Sequence, residues 1–245
     1  MKIIGIIPAR YASSRFPAKP LVDIGGKSMI ERVFLQAKKS KSLTDVLVAT
    51  DDERIASHVE AFGGKVVLTS ETHQSGTDRC FEAINKFSPD ADLVINIQGD
   101  EPFIHPEQID LVASCFDSAE TQIATLVKII KTEEDLFNVN IPKVVLNAQK
   151  EALLFSRQTI PSIRGKEQQE WLKSFTFYKH IGIYAYRIPI LAQITALKPS
   201  SLEMAESLEQ LRWIENGYKI KVEFTDFESV AVDAPDDLKK LIKFL

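Results

Sequence analysis

Apolar residues fall along the first half of the chain in short unbroken runs, separated by stretches with helical spacing. Lys2 to Pro8 (KIIGIIP) is such a run, the pattern of a strand buried on both faces. A polar loop follows from Ala9 to Pro20. From Ser28 to Lys39, Met29, Ile30, Val33, Phe34 and Ala37 recur on one helical face. Asp45 to Thr50 predicts a second strand. Asp52 to Phe62 predicts a helix that Gly63 and Gly64 end. Val66 to Thr69 predicts a third strand, Asp78 to Phe87 a helix, Asp92 to Gln98 a fourth strand, and Pro106 to Phe116 a helix. This alternation predicts an α/β fold with a doubly wound, mostly parallel sheet.

The second half is less regular. Ile123 to Ile130, Lys143 to Leu146, Phe177 to Tyr186 and Lys219 to Phe224 read as strands. Ser201 to Glu215 reads as one helix capped at Asn216-Gly217, and Pro235 to Phe244 as a closing helix. Gln158 to Ser174 is polar and has no clear period. With no repeat and no Pro/Gly/Ser-rich linker, residues 1–245 are expected to form a single domain with a smaller β-rich insertion.

Composition narrows the classes. Across 245 residues the apolar share is 44% and the charged share 26%, which suits a globular chain with a core. A net charge of −4 exerts no global pull on nucleic acid or anionic membrane, so neither is an expected partner. No apolar run is long enough to span a bilayer or serve as a signal sequence, and a cytoplasmic location is expected. Cys80 and Cys115 do not make a disulfide framework and read as small apolar residues.

Ligands of open α/β sheets bind at the carboxyl ends of the strands. The loop after the first strand, Pro8 to Pro20, places Arg10, Arg15 and Lys19 there. A triphosphate carries about four negative charges, and clustered cations with backbone N–H groups stabilise a leaving pyrophosphate. A solvated surface loop is the plainer alternative. The loop is neither G-x-x-x-x-G-K-[ST] nor G-x-G-x-x-G, which argues against a Rossmann dehydrogenase. Asp100, in Gln98-Gly99-Asp100-Glu101-Pro102, and Asp233, after Val230-Ala231-Val232, end apolar runs. Such carboxylates suit Mg²⁺ beside phosphate oxygens, although either could instead cap a helix. His180, in a strand with Tyr184 and Tyr186, could equally be a packed residue. Glu209 and Gln210 could bond sugar hydroxyls, and Arg157 could pair with a substrate carboxylate or lie on the surface.

Taken in order, Pro8-Ala9-Arg10 through Pro20-Leu21, Ala49-Thr50-Asp51-Asp52, His73-Gln74-Ser75-Gly76-Thr77-Asp78-Arg79, Asn96-Ile97-Gln98-Gly99-Asp100-Glu101-Pro102, Phe155-Ser156-Arg157, His180 to Tyr186, Leu208 to Arg212 and Val232-Asp233 resemble the 3-deoxy-manno-octulosonate cytidylyltransferase (CMP-Kdo synthetase) family. The resemblance runs over nearly the whole chain. It implies the nucleotide-diphospho-sugar transferase type of fold and an enzyme that converts CTP and Kdo into CMP-Kdo and pyrophosphate for lipopolysaccharide assembly. It also implies a Mg²⁺-dependent homodimer. By position, Arg10, Arg15 and Lys19 would hold the triphosphate, and Asp100 and Asp233 the metal. Ser75, Gly76, Thr77 and Arg79 would hold the cytidine. Gln98, Arg157, His180, Tyr184, Glu209 and Gln210 would line the sugar site. Asp78 stands where many members have Glu. Two rivals share the fold: an enzyme for another acidic sugar, such as 8-amino-Kdo or a sialic acid, and a non-catalytic sugar-nucleotide-binding module.

Overall fold

The structure, a computed structural model, describes residues 1–12, 16–228 and 230–244. Among these residues the strands join in one nine-stranded sheet of order β3-β2-β1-β4-β8-β5-β9, with β6 pairing with β7 and β8 beside that path. The strands are β1 (Ile3–Ala9), β2 (Asp45–Thr50), β3 (Val66–Leu68), β4 (Leu93–Asn96), β5 (Ile123–Ile129), β6 (Lys143–Leu146), β7 (Ala152–Ser156), β8 (Tyr178–Arg187) and β9 (Ile220–Phe224). β1 pairs parallel with β2 and β4, β2 with β3, and β5 with β9. β8 runs antiparallel between β4 and β5. The carboxyl ends of β1, β2, β4, β5 and β9 therefore share one edge with the start of β8.

Alternating strand residues feed two cores. On one face Ile3, Ile7, Val46, Val48, Leu93 and Ile95 pack with α1 (Met29–Ala37), α2 (Glu53–Ala61) and α4 (Pro106–Ser114). On the other, Ile4, Ile6, Leu47, Ala49 and Val94 pack with α3 (Gly76–Phe87) and with elements of the second half, including Trp213. Strands with both faces covered need no polar alternation, which is why their sequence runs are apolar throughout. Cys80 and Cys115 are both buried free thiols, as expected.

Helix starts follow local chemistry. Ser28, Asp52 and Ser75 each accept a backbone N–H of the helix they precede. Ser75 and Asp78 exchange bonds in a capping box, so α3 begins at Gly76, two residues before the predicted start. In the second half, α5 (Glu133–Phe137), α6 (Trp171–Ser174) and α7 (Ile188–Thr195) form where no helix was expected. α7 is apolar almost all round, so it offers little helical period to read.

One expectation is corrected. Ser201 to Glu215 is not a single helix but α8 (Ser201–Glu206) and α9 (Gln210–Glu215). The break falls at Ser207, whose φ is 51°, and the carbonyls of Glu206 and Ser207 accept the Arg157 guanidinium. A tertiary contact replaces the helical bonds there, and no Gly or Pro announces it. The closing segment Pro235–Phe244 is a 3-10 helix.

Candidate active site

The edge formed by the strand carboxyl ends gathers most of the predicted residues. Pro8, near the end of β1, is the hub. A Cβ on Gly99 would lie 2.8 Å from the Pro8 carbonyl oxygen, and one on Gly76 would lie 3.2 Å from Pro8 Cγ. Glycine at both places lets the turn after β4 and the start of α3 close onto β1. The Tyr11 carbonyl accepts the Ala18 N–H at 3.1 Å, which pins the two ends of the basic loop together. Arg15 lies outside the described residues.

Lys19 reaches the opposite wall. Its Nζ donates to Asp100 Oδ2 at 2.8 Å and to the Val232 carbonyl at 2.9 Å. The Val232 N–H donates to the Asp100 carbonyl at 2.9 Å. These bonds bring the first loop, the turn after β4 and the segment carrying Asp233 to one point. The Asp233 and Ala234 N–H groups both donate to the Asp237 carboxylate.

Beside this point, Arg10 donates to the His73 carbonyl. Burial and the neighbouring Arg79 lower its pKa. Arg79 is fully buried; it donates to Thr69 Oγ1 at 2.5 Å and pairs with Asp51 at 2.9 Å. Arg79 Nε and Asn96 Oδ1 are buried without hydrogen-bond partners among the described residues. Unmet polar atoms of this kind suit a site that a polar ligand completes.

Thr77 Oγ1 donates to Glu209 Oε2 at 2.7 Å, joining the start of α3 to the α8–α9 turn. Burial pushes the Glu209 carboxyl upward, and the Thr77 hydroxyl opposes it. Gln210 is buried at the start of α9. Gln98 Cγ lies 3.6 Å from where a Cβ on Gly182 of β8 would sit. His180 bonds Thr125 Oγ1 at 2.9 Å, and its ring meets Phe155 and Tyr184. Burial lowers its pKa to about 3, so the imidazole is neutral near pH 7. Tyr184 stacks with Tyr186, and both rings set their edges against Trp213.

Arg157 stands apart in its bonding. Its guanidinium donates to the carbonyls of Glu206, Val139 and Ser207. Asn96 lay in a quoted segment without a role, and Lys143 was read only as the first residue of a strand. Asp51 lay in a quoted segment without a role, and its place after β2 was the available signal.

The family model described as "Cytidylyltransferase" matches residues 4–220. The 3-deoxy-manno-octulosonate cytidylyltransferase of Parabacteroides distasonis is 60% identical, with 100% of this chain and 98% of that protein covered. The chain belongs to this family. The Bacteroides thetaiotaomicron relative of the same name is 59% identical over the same shares. The solved structure of a CMP:2-keto-3-deoxy-manno-octonic acid synthetase complexed with CTP superposes with a TM-score of 0.91 at 41% identity. It covers 100% of this chain and 98% of its own. No helix among the described residues is long and apolar enough to cross a membrane.

Proposed function

We propose that this chain transfers CMP from CTP to Kdo, releasing pyrophosphate and yielding CMP-Kdo. The observation that supports the reading is the meeting of Lys19 with Asp100 and the Val232 carbonyl, which joins the basic loop, the turn after β4 and the segment leading to Asp233. The anomeric hydroxyl of Kdo attacks the α-phosphorus; the new P–O bond forms as the bond to pyrophosphate breaks. Arg10, Arg15 and Lys19 neutralise the leaving group. Ser75, Gly76, Thr77 and Arg79 hold the cytidine. Gln98, Arg157, His180, Tyr184, Glu209 and Gln210 line the sugar side. Positioning supplies much of the remaining acceleration.

Cytidylyltransferases generally use a divalent metal, and we infer Mg²⁺ here. The donor set fits: Asp100 and Asp233 are hard carboxylates on segments joined by a backbone hydrogen bond, beside the place proposed for the phosphates. When bound, the ion polarises the α-phosphate and lowers the pKa of the attacking hydroxyl.

The same reading takes residues 1–245 as one nucleotidyltransferase domain, working in the cytoplasm as a homodimer. Support for self-association comes from Leu153, Phe175 and Phe224, which are 56%, 42% and 36% exposed. Phe175 and Phe224 line a groove of about 590 Å³ with Val144, Leu146 and Tyr178. That groove contains none of the proposed site residues. Light scattering after size exclusion reads the oligomeric state; a monomer at assay concentration rejects the dimer.

The deciding assay is pyrophosphate release with CTP plus Kdo, set against CTP alone, other nucleotides, 8-amino-Kdo and a sialic acid. Kdo-dependent release with CTP is expected. Faster turnover of another sugar overturns the Kdo assignment.

A further inference from the structure

Lys143, in β6, is a cation with 0% exposure, and among the described residues it forms no ion pair. Its Nζ donates instead to the carbonyls of Asn138 at 2.7 Å and Arg157 at 3.1 Å. Burying an ammonium is costly; two carbonyls and the more distant Asp135 carboxylate offset that cost only in part, and burial still lowers the Lys143 pKa. An apolar side chain of similar volume would fill the space at less cost, so packing alone does not account for lysine there.

Its partners do. The Arg157 N–H donates to Glu206 Oε2 at 2.8 Å, and Ser156 Oγ donates to Glu206 Oε1 at 2.6 Å. Arg157 Nε donates to the Glu206 carbonyl at 2.6 Å. Two cations therefore clasp three segments: residues 138–139, the end of β7, and the α8–α9 turn. That turn holds Ser207 in the left-handed region, two residues before Glu209. A turn in a strained conformation needs outside support to persist.

We propose that Lys143 is a positioning residue for the sugar half of the site, acting through Arg157 and the α8–α9 turn on Glu209 and Gln210. This deepens the reading of the chain as a sugar-activating enzyme and rests on it. Lys143 does not touch the reacting atoms; it fixes the backbone that aims those that do. The nucleotide half, built on β1 and the start of α3, makes no bond to Lys143 or Arg157 among the described residues and meets the sugar half at the Thr77–Glu209 bond.

The test compares wild type with Lys143→Met, Lys143→Arg and Glu206→Gln, measuring KM for each substrate, kcat and thermal melting. Lys143→Met is expected to raise KM for Kdo about 10- to 100-fold while changing KM for CTP by less than about twofold. Lys143→Arg should recover most of the loss, and Glu206→Gln should act in the same direction. A folded Lys143→Met enzyme with an unchanged KM for Kdo overturns the proposal, as does a parallel rise in both KM values. Should Lys143→Met fail to fold, Glu206→Gln decides by the same criterion. If wild type transfers CMP to no sugar, the functional reading falls. The clasp is then read from amide exchange at Leu208 to Gln210, faster in Glu206→Gln if it holds and unchanged if it does not.

Discussion

Lys19 and Asp100 are 81 residues apart in sequence, yet ammonium and carboxylate meet at 2.8 Å, and the same ammonium holds the Val232 carbonyl. Both side chains are mostly buried, at 17% and 27% exposure. The pair ties the loop after β1 to the turn after β4. It also keeps the cation proposed for the phosphates within reach of the acid proposed for the metal.

Removing either partner should therefore harm chemistry more than folding. Lys19→Met is expected to lower kcat/KM for CTP by about 100- to 1,000-fold. Asp100→Ala should abolish Mg²⁺-dependent pyrophosphate release by a comparable or larger factor, about 1,000-fold. Circular dichroism should match wild type in both. Activity that survives Asp100→Ala rejects the metal assignment.

Asp100 is aimed by the glycine before it. A Cβ at Gly99 would stand 2.8 Å from the Pro8 carbonyl oxygen, and a backbone atom cannot swing aside as a side chain can. Gly99→Ala should push the turn off β1. The expected cost is about 1–3 kcal/mol of overpacking, a Tm fall of roughly 2–10 °C. A displacement of about 1 Å at Asp100 should cost around 100-fold in kcat. A melting curve and rate identical to wild type would show that the turn absorbs the methyl group freely.

The first half of the fold was legible because its strands are buried on both faces. Runs such as Val46-Leu47-Val48-Ala49 leave little else to propose, and Ser28 and Asp52 mark the helix starts. The second half was harder. The α8–α9 break at Ser207 arises from Arg157, fifty residues upstream, and leaves no local trace. That the basic loop and Asp100 come together was legible from their positions at strand ends. The support around them was not. Lys143 reads as the first residue of a core strand, and nothing local reveals that the Arg157 carbonyl accepts its ammonium. Nor could pattern reveal that Arg157 spends its guanidinium on three carbonyls.

Glu209 should show a function held at some cost to stability. Its carboxyl is raised by burial, so the folded state binds the proton more tightly than the unfolded chain does. The associated stability is present below the ordinary carboxylate pKa of about 4.3 and is lost as pH rises through the folded value. At pH 7 the ionised group thus weakens the fold. Glu209→Gln is expected to match or exceed wild-type stability at pH 7 while raising KM for Kdo about tenfold. Thr77→Val should raise KM for Kdo in the same direction by removing the 2.7 Å donor to Glu209, and should raise KM for CTP as well because Thr77 is proposed to hold the cytidine. A destabilised Glu209→Gln with normal KM values contradicts both expectations.

Glu82 shows the opposite sign. Burial raises its pKa, but bonds from Lys86, the Ser70 N–H and His73 prevail and hold the carboxyl down to about 2, from 4.5. A depressed folded value stabilises above the unfolded pKa, and that stability is lost as pH falls from 4.5 toward 2. The effect reaches the site because Glu82 bonds His73, whose carbonyl accepts Arg10. Glu82→Gln should therefore be less stable than wild type at pH 7, and the gap should narrow on acidification through that window. The KM for CTP should rise as Arg10 loses a fixed partner. Urea unfolding at a series of pH values reads the first effect and steady-state kinetics the second. Unfolding curves that stay a constant distance apart from pH 7 to pH 3 would remove Glu82 from the acid limb.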